Sequence, residues 1–340
     1  MLKVFFDYGS LSPGHSNRGI GYYAENLLSE LKKSKEVKLV SNKKEADIVH
    51  FPYFDFFFDT LNLVRSKKNI VTIYDTIPLI YPSQYPPGLK GKINLIKQRK
   101  KLSQVDAVIT ISETSKKDIV RLLNVPQAKV FPIHLAASQT YKKLAIGKWK
   151  LETTKRFGLP KRFVLYVGDV NYNKNLSKLA EACLLVETSL VIVGKRAADE
   201  NINSNNIENK PFTEFLDKYK NNRNIIRLGY VESQDLVKIF NLASLYCQPS
   251  FYEGFGLPVL EAQACEVPVI ASKTQALVEV GGNSCLYFDP YNVTYIADTI
   301  NKIIKSKGVR DDLIKKSKLN TNWYSWAKAA KETIDIYKRL

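Results

Sequence analysis

Two glutamates, Glu253 and Glu261, stand eight residues apart in the sequence, separated by a Gly-Phe-Gly turn. Paired carboxylates can serve as acid and base in hydrolysis, or they can accept hydrogen bonds from the hydroxyl groups of a ligand. Pro258 favours the first turn of a helix, because its φ angle is already set and it has no amide hydrogen to lose. Glu253 therefore precedes the predicted helix and Glu261 lies on it. This placement suits two different parts of one ligand better than hydrolysis of a single bond.

The elements around the two glutamates predict where a ligand binds. A short apolar run at residues 245–248 and a β-rich run at residues 267–271 predict a strand, a glycine loop, a helix and a second strand. Ligands of parallel sheets bind at the carboxyl ends of the strands, where this loop lies. The amides of residues 255–257 would point out of the helix start, which favours a phosphate. A nucleoside diphosphate sugar offers phosphates for the amides and hydroxyl groups for both glutamates.

The segment from Glu253 to Glu261 resembles the Glu-Gly-Phe-Gly-Leu-Pro-x-x-Glu signature of the retaining glycosyltransferases of family 4, also called glycosyl transferases group 1, which have the GT-B fold. The resemblance implies that Glu253 contacts the transferred sugar and that Glu261 binds the ribose. It also implies donor contacts from the turn between them: Gly254, Phe255, Gly256 and Leu257. Glu266 departs from the family, which usually has glycine at this helix end.

A second donor segment follows the predicted strand at residues 163–167. It resembles the family pattern Val-Gly-x-x-x-x-Arg-Lys-Asn-Leu at Gly168, Lys174, Asn175 and Leu176. The resemblance assigns Lys174 to the departing diphosphate. The companion arginine is absent, because Asp169 and Asn173 occupy the positions where relatives often place a cation. Lys195 or Arg196, after the next strand, is predicted to supply the missing charge.

Tyr230 and Val231 follow the predicted strand at residues 225–228 and resemble the family segment that cradles the nucleotide base. A simple turn at the end of a strand explains these two residues equally well.

Three further segments are predicted to contribute from the acceptor side. Residues 19–23 resemble the family's Gly-Ile-Gly-x-Tyr loop, which implies that Gly19 closes over the donor phosphates and that Arg18 adds charge there; a plain helix start is the alternative. Tyr74 and Asp75 resemble the family's His-Asp pair beside the acceptor, with the histidine replaced by a tyrosine that can still form a hydrogen bond. His50 could either reach the ligand site or have only a structural role. The aromatic run at residues 51–58 could form an exposed acceptor patch or pack in the core.

The order of apolar runs predicts an α/β fold with two sheets. Predicted strands lie at residues 2–6, 37–40, 47–51, 69–74, 107–111 and 129–133, and then at 163–167, 190–193, 225–228, 245–248, 267–271 and 285–287. The resemblance implies a GT-B fold, with two Rossmann-like domains facing each other across a cleft. We predict an acceptor-side domain at residues 1–150, a nucleotide-sugar-binding domain at 151–322, and a carboxyl-terminal helix at 323–340 that crosses back onto the first domain.

Composition limits the function classes. The 340 residues are 45% hydrophobic, enough for two cores. The four cysteines are scattered, and the chain opens on a strand-like segment without a signal peptide, which indicates a reducing cytoplasm. The three histidines lack metal-ligand spacing. No apolar run approaches the length of a membrane-spanning helix.

The formal net charge of +18 indicates a polyanionic partner, either nucleic acid or an anionic membrane surface. Eight basic residues fall within residues 142–162, and six fall within 90–104 with no acid. Leu89, Ile93 and Ile96 stand at helical spacing among the second set. They predict either a basic amphipathic helix on anionic lipid or an ordinary solvated helix.

The residues together with the resemblance predict a hexosyltransferase, which moves a hexose from a nucleoside diphosphate sugar to a hydroxyl group of a glycan or lipid-linked acceptor; the resemblance implies retention of the anomeric configuration. Glu253, Lys174, Asp75 and Tyr74 form the predicted catalytic set. The resemblance implies no cofactor and no obligatory metal, and we expect a cytoplasmic, peripheral role in assembling cell-surface polysaccharide or lipopolysaccharide. The alternatives are a GT-B-like epimerase or phosphorylase, and a nucleic-acid-binding protein.

Overall fold

The computed structural model describes residues 1–8 and 19–340. The chain divides into two compact units: unit 1 contains Met1–Ala136 and Tyr324–Leu340, and unit 2 contains Ala137–Trp323. Each unit holds one six-stranded sheet, and every pair of neighbouring strands in both sheets is parallel. The predicted α/β class with two parallel sheets is confirmed.

Unit 1 begins with the strand at Leu2–Phe6. Its strands are β1 (Leu2–Phe6), β2 (Val37–Leu39), β3 (Ile48–Phe51), β4 (Lys68–Thr72), β5 (Ala107–Thr110) and β6 (Val130–Pro132), and its first helices are α1 (Gly19–Lys33), α2 (Ile77–Ile80), α3 (Gly88–Leu102) and α4 (Glu113–Leu123). The strand order is β2-β1-β3-β4-β5-β6, so the direction of the connections reverses between β1 and β3. Every residue of β3 and β5 is buried, as expected of parallel strands covered on both faces.

Unit 2 repeats the alternation of strand and helix. Its strands are β7 (Phe163–Val167), β8 (Ser189–Val193), β9 (Ile225–Leu228), β10 (Leu245–Gln248), β11 (Val269–Ser272) and β12 (Cys285–Phe288), and its helices are α5 (Trp149–Phe157), α6 (Leu176–Leu185), α7 (Lys210–Tyr219), α8 (Ser233–Leu242), α9 (Leu257–Ala264), α10 (Gln275–Gly281), α11 (Val293–Lys305) and α12 (Lys307–Thr321). The strand order is β12-β11-β10-β7-β8-β9. The reversal therefore falls between β7 and β10.

The two units separate between Ala136 and Ala137, ahead of the predicted boundary at residue 150. The segment that follows packs on α8 of unit 2. The rings of Tyr141 and Phe240 have centroids 5.8 Å apart, and the Leu144 amide donates a hydrogen bond of 2.9 Å to Asn241 Oδ1. These contacts attach Tyr141 and Leu144, which precede residue 150, to unit 2.

The last helix, α13 (Trp326–Arg339), belongs to unit 1, so the predicted return of the carboxyl terminus to the first sheet is confirmed. Its Tyr337 hydroxyl lies 2.6 Å from Nδ1 of His50, and the other ring nitrogen of His50 lies 2.8 Å from Thr72 Oγ1. His50 is fully buried, and burial lowers the pKa of its imidazole to about 3. His50 therefore has a structural role in holding α13 against the sheet.

Most of the aromatic run after β3 lies in the core of unit 1. Phe51, Tyr53, Phe54 and Phe56 are buried, and Phe58 is 68% exposed. Core packing therefore accounts for four of these side chains.

Candidate functional site

The turn between β10 and α9 has the predicted strand, loop and helix order. Helix α9 begins at Leu257, one residue before the predicted start at Pro258, and Gly256 occupies the N-cap position with a φ angle of 96°. A Cβ atom at Gly256 would lie 2.5 Å from Leu277 Cδ2. Both the backbone conformation and the available space therefore require glycine here. Pro258 lies in the first turn, as predicted.

The carboxylate of Glu253 lies at the centre of a polar network in unit 2. Lys174 Nζ donates to Glu253 Oε1 at 2.7 Å and to Oε2 at 2.9 Å. Oε1 also accepts hydrogen bonds from Gln248 Nε2 at 2.8 Å and from Ser250 Oγ at 2.6 Å. Glu253 is buried and the Lys174 side chain is 20% exposed. The structure thus brings together the two residues predicted to contact the sugar and the diphosphate.

The sheet topology explains why Lys174 and Glu253 meet. Lys174 lies in the loop after β7 and Glu253 in the loop after β10, and these two strands are paired neighbours at the reversal of strand order. In open α/β sheets, the loops at such a reversal diverge to opposite faces and leave a crevice that binds ligands. The sequence placed the two segments on different strands, and the strand order makes them adjacent.

Two asparagines hold the loops of this crevice in place. Asn173 Nδ2 donates to the carbonyl of Tyr252 at 3.0 Å. Asn175, with a φ angle of 55°, donates from Nδ2 to the carbonyls of Pro249 and Pro290, each at 2.9 Å. The loops after β7, β10 and β12 are therefore joined through one buried side-chain amide.

Glu261, on α9, has a different environment from Glu253. It is buried, and burial raises the pKa of its carboxyl group to about 8, although a hydrogen bond with the Tyr141 side chain acts in the opposite direction. The Glu261 side chain is therefore mostly protonated at neutral pH. A protonated carboxyl can donate one hydrogen bond and accept others, and hydroxyl donors from a ligand would favour its ionised form.

The remaining predicted donor residues lie around the same end of unit 2. A Cβ atom at Gly168 would lie 2.8 Å from the Tyr166 hydroxyl, so this position also favours glycine. Arg196 is already occupied, since Nη2 donates to Asn209 Oδ1 at 2.7 Å and Nε lies 3.6 Å from Asp199 Oδ2. Lys195 is exposed. Lys195 is therefore the better candidate for the missing second cation.

Tyr230 and Val231 differ in exposure. Tyr230 is 55% exposed, and its hydroxyl donates to Glu232 Oε2 at 3.3 Å. Val231 is buried. The exposed ring of Tyr230 offers a flat surface on which a nucleotide base could stack.

The predicted acceptor-side residues belong to unit 1. The Tyr74 hydroxyl donates to the Pro52 carbonyl at 2.7 Å, and burial raises its pKa well above the usual value. Asp75 Oδ1 accepts from the Ile77 amide at 2.9 Å and so supports the start of α2. Gly19 is the first residue of α1. Arg18 lies outside the described residues.

Gln248, Ser250 and Tyr141 contact the glutamates and were missed in the sequence. Gln248 and Ser250 could have been found from the sequence. They are polar residues two positions apart at the end of a buried strand, and in an extended segment such residues point to the same side. Tyr141 had no such signal, since it lies in the basic segment near the end of the predicted first domain, far from both glutamates in the sequence.

No three His, Cys, Asp or Glu side chains are grouped as metal ligands in residues 1–8 and 19–340. None of the helices that the structure describes has the length and hydropathy required to span a bilayer.

Sequence relatives resemble this chain over most of its length. The O-antigen chain mannosyltransferase B of Escherichia coli is 27% identical over 285 residues, which are 81% of this chain and 71% of that protein. The serotype-specific mannosyltransferase WbdA of Escherichia coli is 23% identical over 280 residues, 80% of this chain and 34% of WbdA. This chain therefore spans about a third of the length of WbdA.

Solved structures match the whole chain. Sucrose-phosphate synthase from Thermosynechococcus elongatus has a TM-score of 0.75 at 16% identity, covering 100% of this chain and 99% of that one. Anabaena HepE in complex with UDP and glucose has a TM-score of 0.74 at 13% identity, covering 100% of both chains. At these identities the likeness shows the fold.

Two family profiles divide the chain between them. Residues 16–136 match the family described as Glycosyltransferase Family 4, and residues 148–320, just over half of the chain, match the family described as Glycosyl transferases group 1. The predicted resemblance is confirmed. With its two parallel sheets and these matches, the chain is a GT-B protein that belongs to the glycosyl transferases group 1 family.

Proposed function

We propose that this protein transfers a hexose from a nucleoside diphosphate sugar to a hydroxyl group of a glycan or lipid-linked glycan, with retention of the anomeric configuration. The observation that carries the proposal is the contact of Lys174 with Glu253 in the crevice of unit 2, beside the start of α9. A cation, a buried carboxylate and a helix start suit the charged diphosphate and the hydroxyl groups of one donor.

In the proposed donor complex, Lys174 neutralises the departing diphosphate. The start of α9, at Gly254, Phe255, Gly256 and Leu257, faces the same anion with the positive end of the helix dipole. When Lys174 turns to the phosphate, Gln248 and Ser250 still donate to Glu253. They hold its carboxylate in position to accept a hydrogen bond from the transferred sugar. Glu261 accepts hydrogen bonds from the ribose hydroxyls.

The acceptor side of the proposal rests on Tyr74 and Asp75 of unit 1. Asp75 is partly exposed, whereas the Tyr74 hydroxyl is buried against the Pro52 carbonyl. Asp75 has a carboxylate that can accept a hydrogen bond from the incoming hydroxyl, and Tyr74 supports the loop through Pro52. Because two curated relatives are named as O-antigen and serotype-specific mannosyltransferases, we propose cytoplasmic assembly of a cell-surface polysaccharide as the setting and a mannosyl donor as the first to test.

A thermal-shift screen against a panel of nucleotide sugars tests donor recognition. One donor should raise the melting temperature clearly above the others, and Lys174→Ala should remove most of that shift. Lys220→Ala is the matched control, because Lys220 is an exposed lysine of the same unit. No shift by any sugar nucleotide would contradict the proposal.

Product analysis then separates transfer from the alternatives. With donor and acceptor glycan, the product should be a glycosylated acceptor whose anomeric configuration matches the donor. An epimer or a free sugar phosphate formed without acceptor would indicate the other GT-B-like enzymes. We further propose that the reaction requires no divalent cation, so that activity should survive a chelator; loss of activity that magnesium or manganese restores would overturn that part.

A further inference from the structure

Helix α3 in unit 1 exposes three large aliphatic side chains. Leu89 is 78% exposed, Ile93 48% and Ile96 68%. Their spacing of four and then three residues places them in one stripe along the helix. The stripe faces away from the core of unit 1.

The opposite side of α3 packs against unit 1 through Leu95 and Leu102 and through polar side chains that fix the rotation of the helix. Gln98 is fully buried, and its Nε2 donates to the carbonyls of Asp55 at 2.8 Å and Phe58 at 2.7 Å. Asn94 Nδ2 donates to the carbonyl of Phe57 at 2.8 Å. A helix on the surface of a globular protein usually presents aliphatic residues to the core and polar residues to water. Helix α3 carries a second aliphatic stripe besides Leu95 and Leu102, and rolling the helix to bury that stripe would break these hydrogen bonds.

The flanks of the stripe are basic. Helix α3 contains six Lys or Arg residues and no acid. At about 100° per residue, Lys90 and Lys97 lie on one side of the stripe, and Lys92 and Arg99 on the other. Among the described residues, the ion pair of this helix is the one between Lys101 and Asp59. Exposed positive charges therefore border exposed aliphatic groups on both sides.

We propose that α3 is a docking surface for an anionic lipid bilayer. Leu89, Ile93 and Ile96 enter the boundary between headgroups and acyl chains, while the flanking lysines contact anionic headgroups. A nucleic acid or an acidic protein would match the charge, but neither would favour three exposed aliphatic side chains in one stripe. The proposal does not depend on the reaction in unit 2.

Sedimentation with vesicles tests the docking surface. The protein should bind vesicles of phosphatidylcholine and phosphatidylglycerol in equal amounts at least about tenfold more tightly than phosphatidylcholine alone. The combined variant Leu89→Ser, Ile93→Ser, Ile96→Ser should weaken binding to the anionic vesicles by about tenfold. The control variant carries Ile146→Ser, Leu185→Ser and Leu319→Ser, which alters aliphatic residues of unit 2 that are 87%, 61% and 62% exposed. It should bind as the wild type does.

A charge series tests the flanks. One variant combines Lys90→Gln, Lys92→Gln and Lys97→Gln, and it should bind anionic vesicles more weakly than the wild type. The control variant combines Lys307→Gln, Lys315→Gln and Lys318→Gln on α12. It removes the same amount of charge and should retain most of the binding to anionic vesicles. Equal binding to neutral and anionic vesicles, or equal losses in target and control variants, would overturn the proposal. Binding that salt abolishes and that the serine variant retains would instead indicate a soluble polyanion. The thermal shift caused by the donor should be the same in all of these variants, which separates this test from that of the transfer reaction.

Discussion

The two sheets reverse their strand order in the same way but use the reversal differently. In unit 2, the reversal between β7 and β10 brings Lys174 to Glu253 at 2.7 Å. In unit 1, the reversal lies between β1 and β3, and His50 at the end of β3 is fully buried against Tyr337 of α13. The reversal in unit 2 holds a charged pair, whereas the reversal in unit 1 has the buried imidazole of His50 on one of its strands.

The difference separates what topology provides from what side chains provide. A reversal of strand order supplies a place where loops diverge. Whether a ligand can use that place depends on the residues that end the two strands. In unit 1 the ion pair of Asp7 with Lys43, at 2.8 Å, and the His50 contacts strengthen the fold. In unit 2 the loops carry a lysine and a glutamate that suit a ligand.

The largest expected effect comes from Glu253. Glu253→Gln keeps the size of the side chain but removes the negative charge, so turnover should fall about 100-fold while the donor still binds. Initial rates at saturating donor measure this. The comparison variant in unit 1 is His50→Gln, which should leave turnover per folded molecule unchanged. A similar loss in both variants would contradict the different roles assigned to Glu253 and His50.

The next largest effect is on the stability of unit 1. His50→Ala removes hydrogen bonds to Tyr337 and Thr72 and should lower the free energy of unfolding of this unit by about 2 kcal/mol. Urea denaturation measures it, and Tyr337→Phe should cost about half as much.

The pH dependence of that stability has a definite sign. Because the pKa of His50 falls from 6.5 to about 3 on folding, its stabilising contribution is present above pH 6.5 and is lost as the pH falls. The His50→Ala variant should therefore lose less stability between neutral and acid pH than the wild type. If the free energy of unfolding falls by the same amount in both proteins on acidification, the structural role assigned to His50 is contradicted.

A smaller effect concerns the protonation of Glu261. If the ribose hydroxyls both donate to its carboxylate, the proton must leave on binding, so donor affinity should rise about tenfold as the pH increases from about 7 to about 9, across a pKa of about 8. Calorimetry in buffers of different ionisation enthalpy would detect the released proton. Glu261→Gln should bind more weakly at high pH and lose most of this pH dependence. A flat profile in the wild type would contradict the assigned role.

The smallest effect tests backbone strain beside the site. Glu266 has a φ angle of 57° and forms an ion pair of 2.9 Å with Lys318. Glu266→Gly should raise the free energy of unfolding by about 0.5 kcal/mol, because relief of the left-handed conformation outweighs the loss of a partly exposed ion pair. Glu181→Gly is the control: Glu181 also pairs with a lysine, but it lies inside α6, so glycine there should destabilise.

The strands were the most predictable part of the molecule. All twelve predicted strands are present, with their ends within two residues of the predicted positions, because parallel strands buried on both faces leave continuous β-branched and apolar runs. The departure at Glu266 is also explained. Glu266 has a positive φ angle, a conformation that glycine adopts more readily than glutamate and that the sequence alone does not reveal.

The candidate site was predictable only where its chemistry lies within one segment. The turn from Glu253 to Glu261 has its own signature, and Pro258 and Gly256 define its geometry. Contacts between segments were not predictable: the approach of Lys174 to Glu253 depends on strand order, and the contact of Tyr141 with Glu261 depends on a segment that packs on α8. The assigned roles of these residues stay predictions until the variants are measured.

The amide of Asn175 has a consequence for engineering. One side chain bonds to the carbonyls of Pro249 and Pro290 from the loop after β7, so the relative positions of three loops depend on it. A chimaera that exchanges only the loop containing Glu253 with that of a relative would keep Asn175 but would replace the loop segment to which Asn175 donates a hydrogen bond. Donor specificity should therefore be transplanted by moving the three loops together, as one cassette.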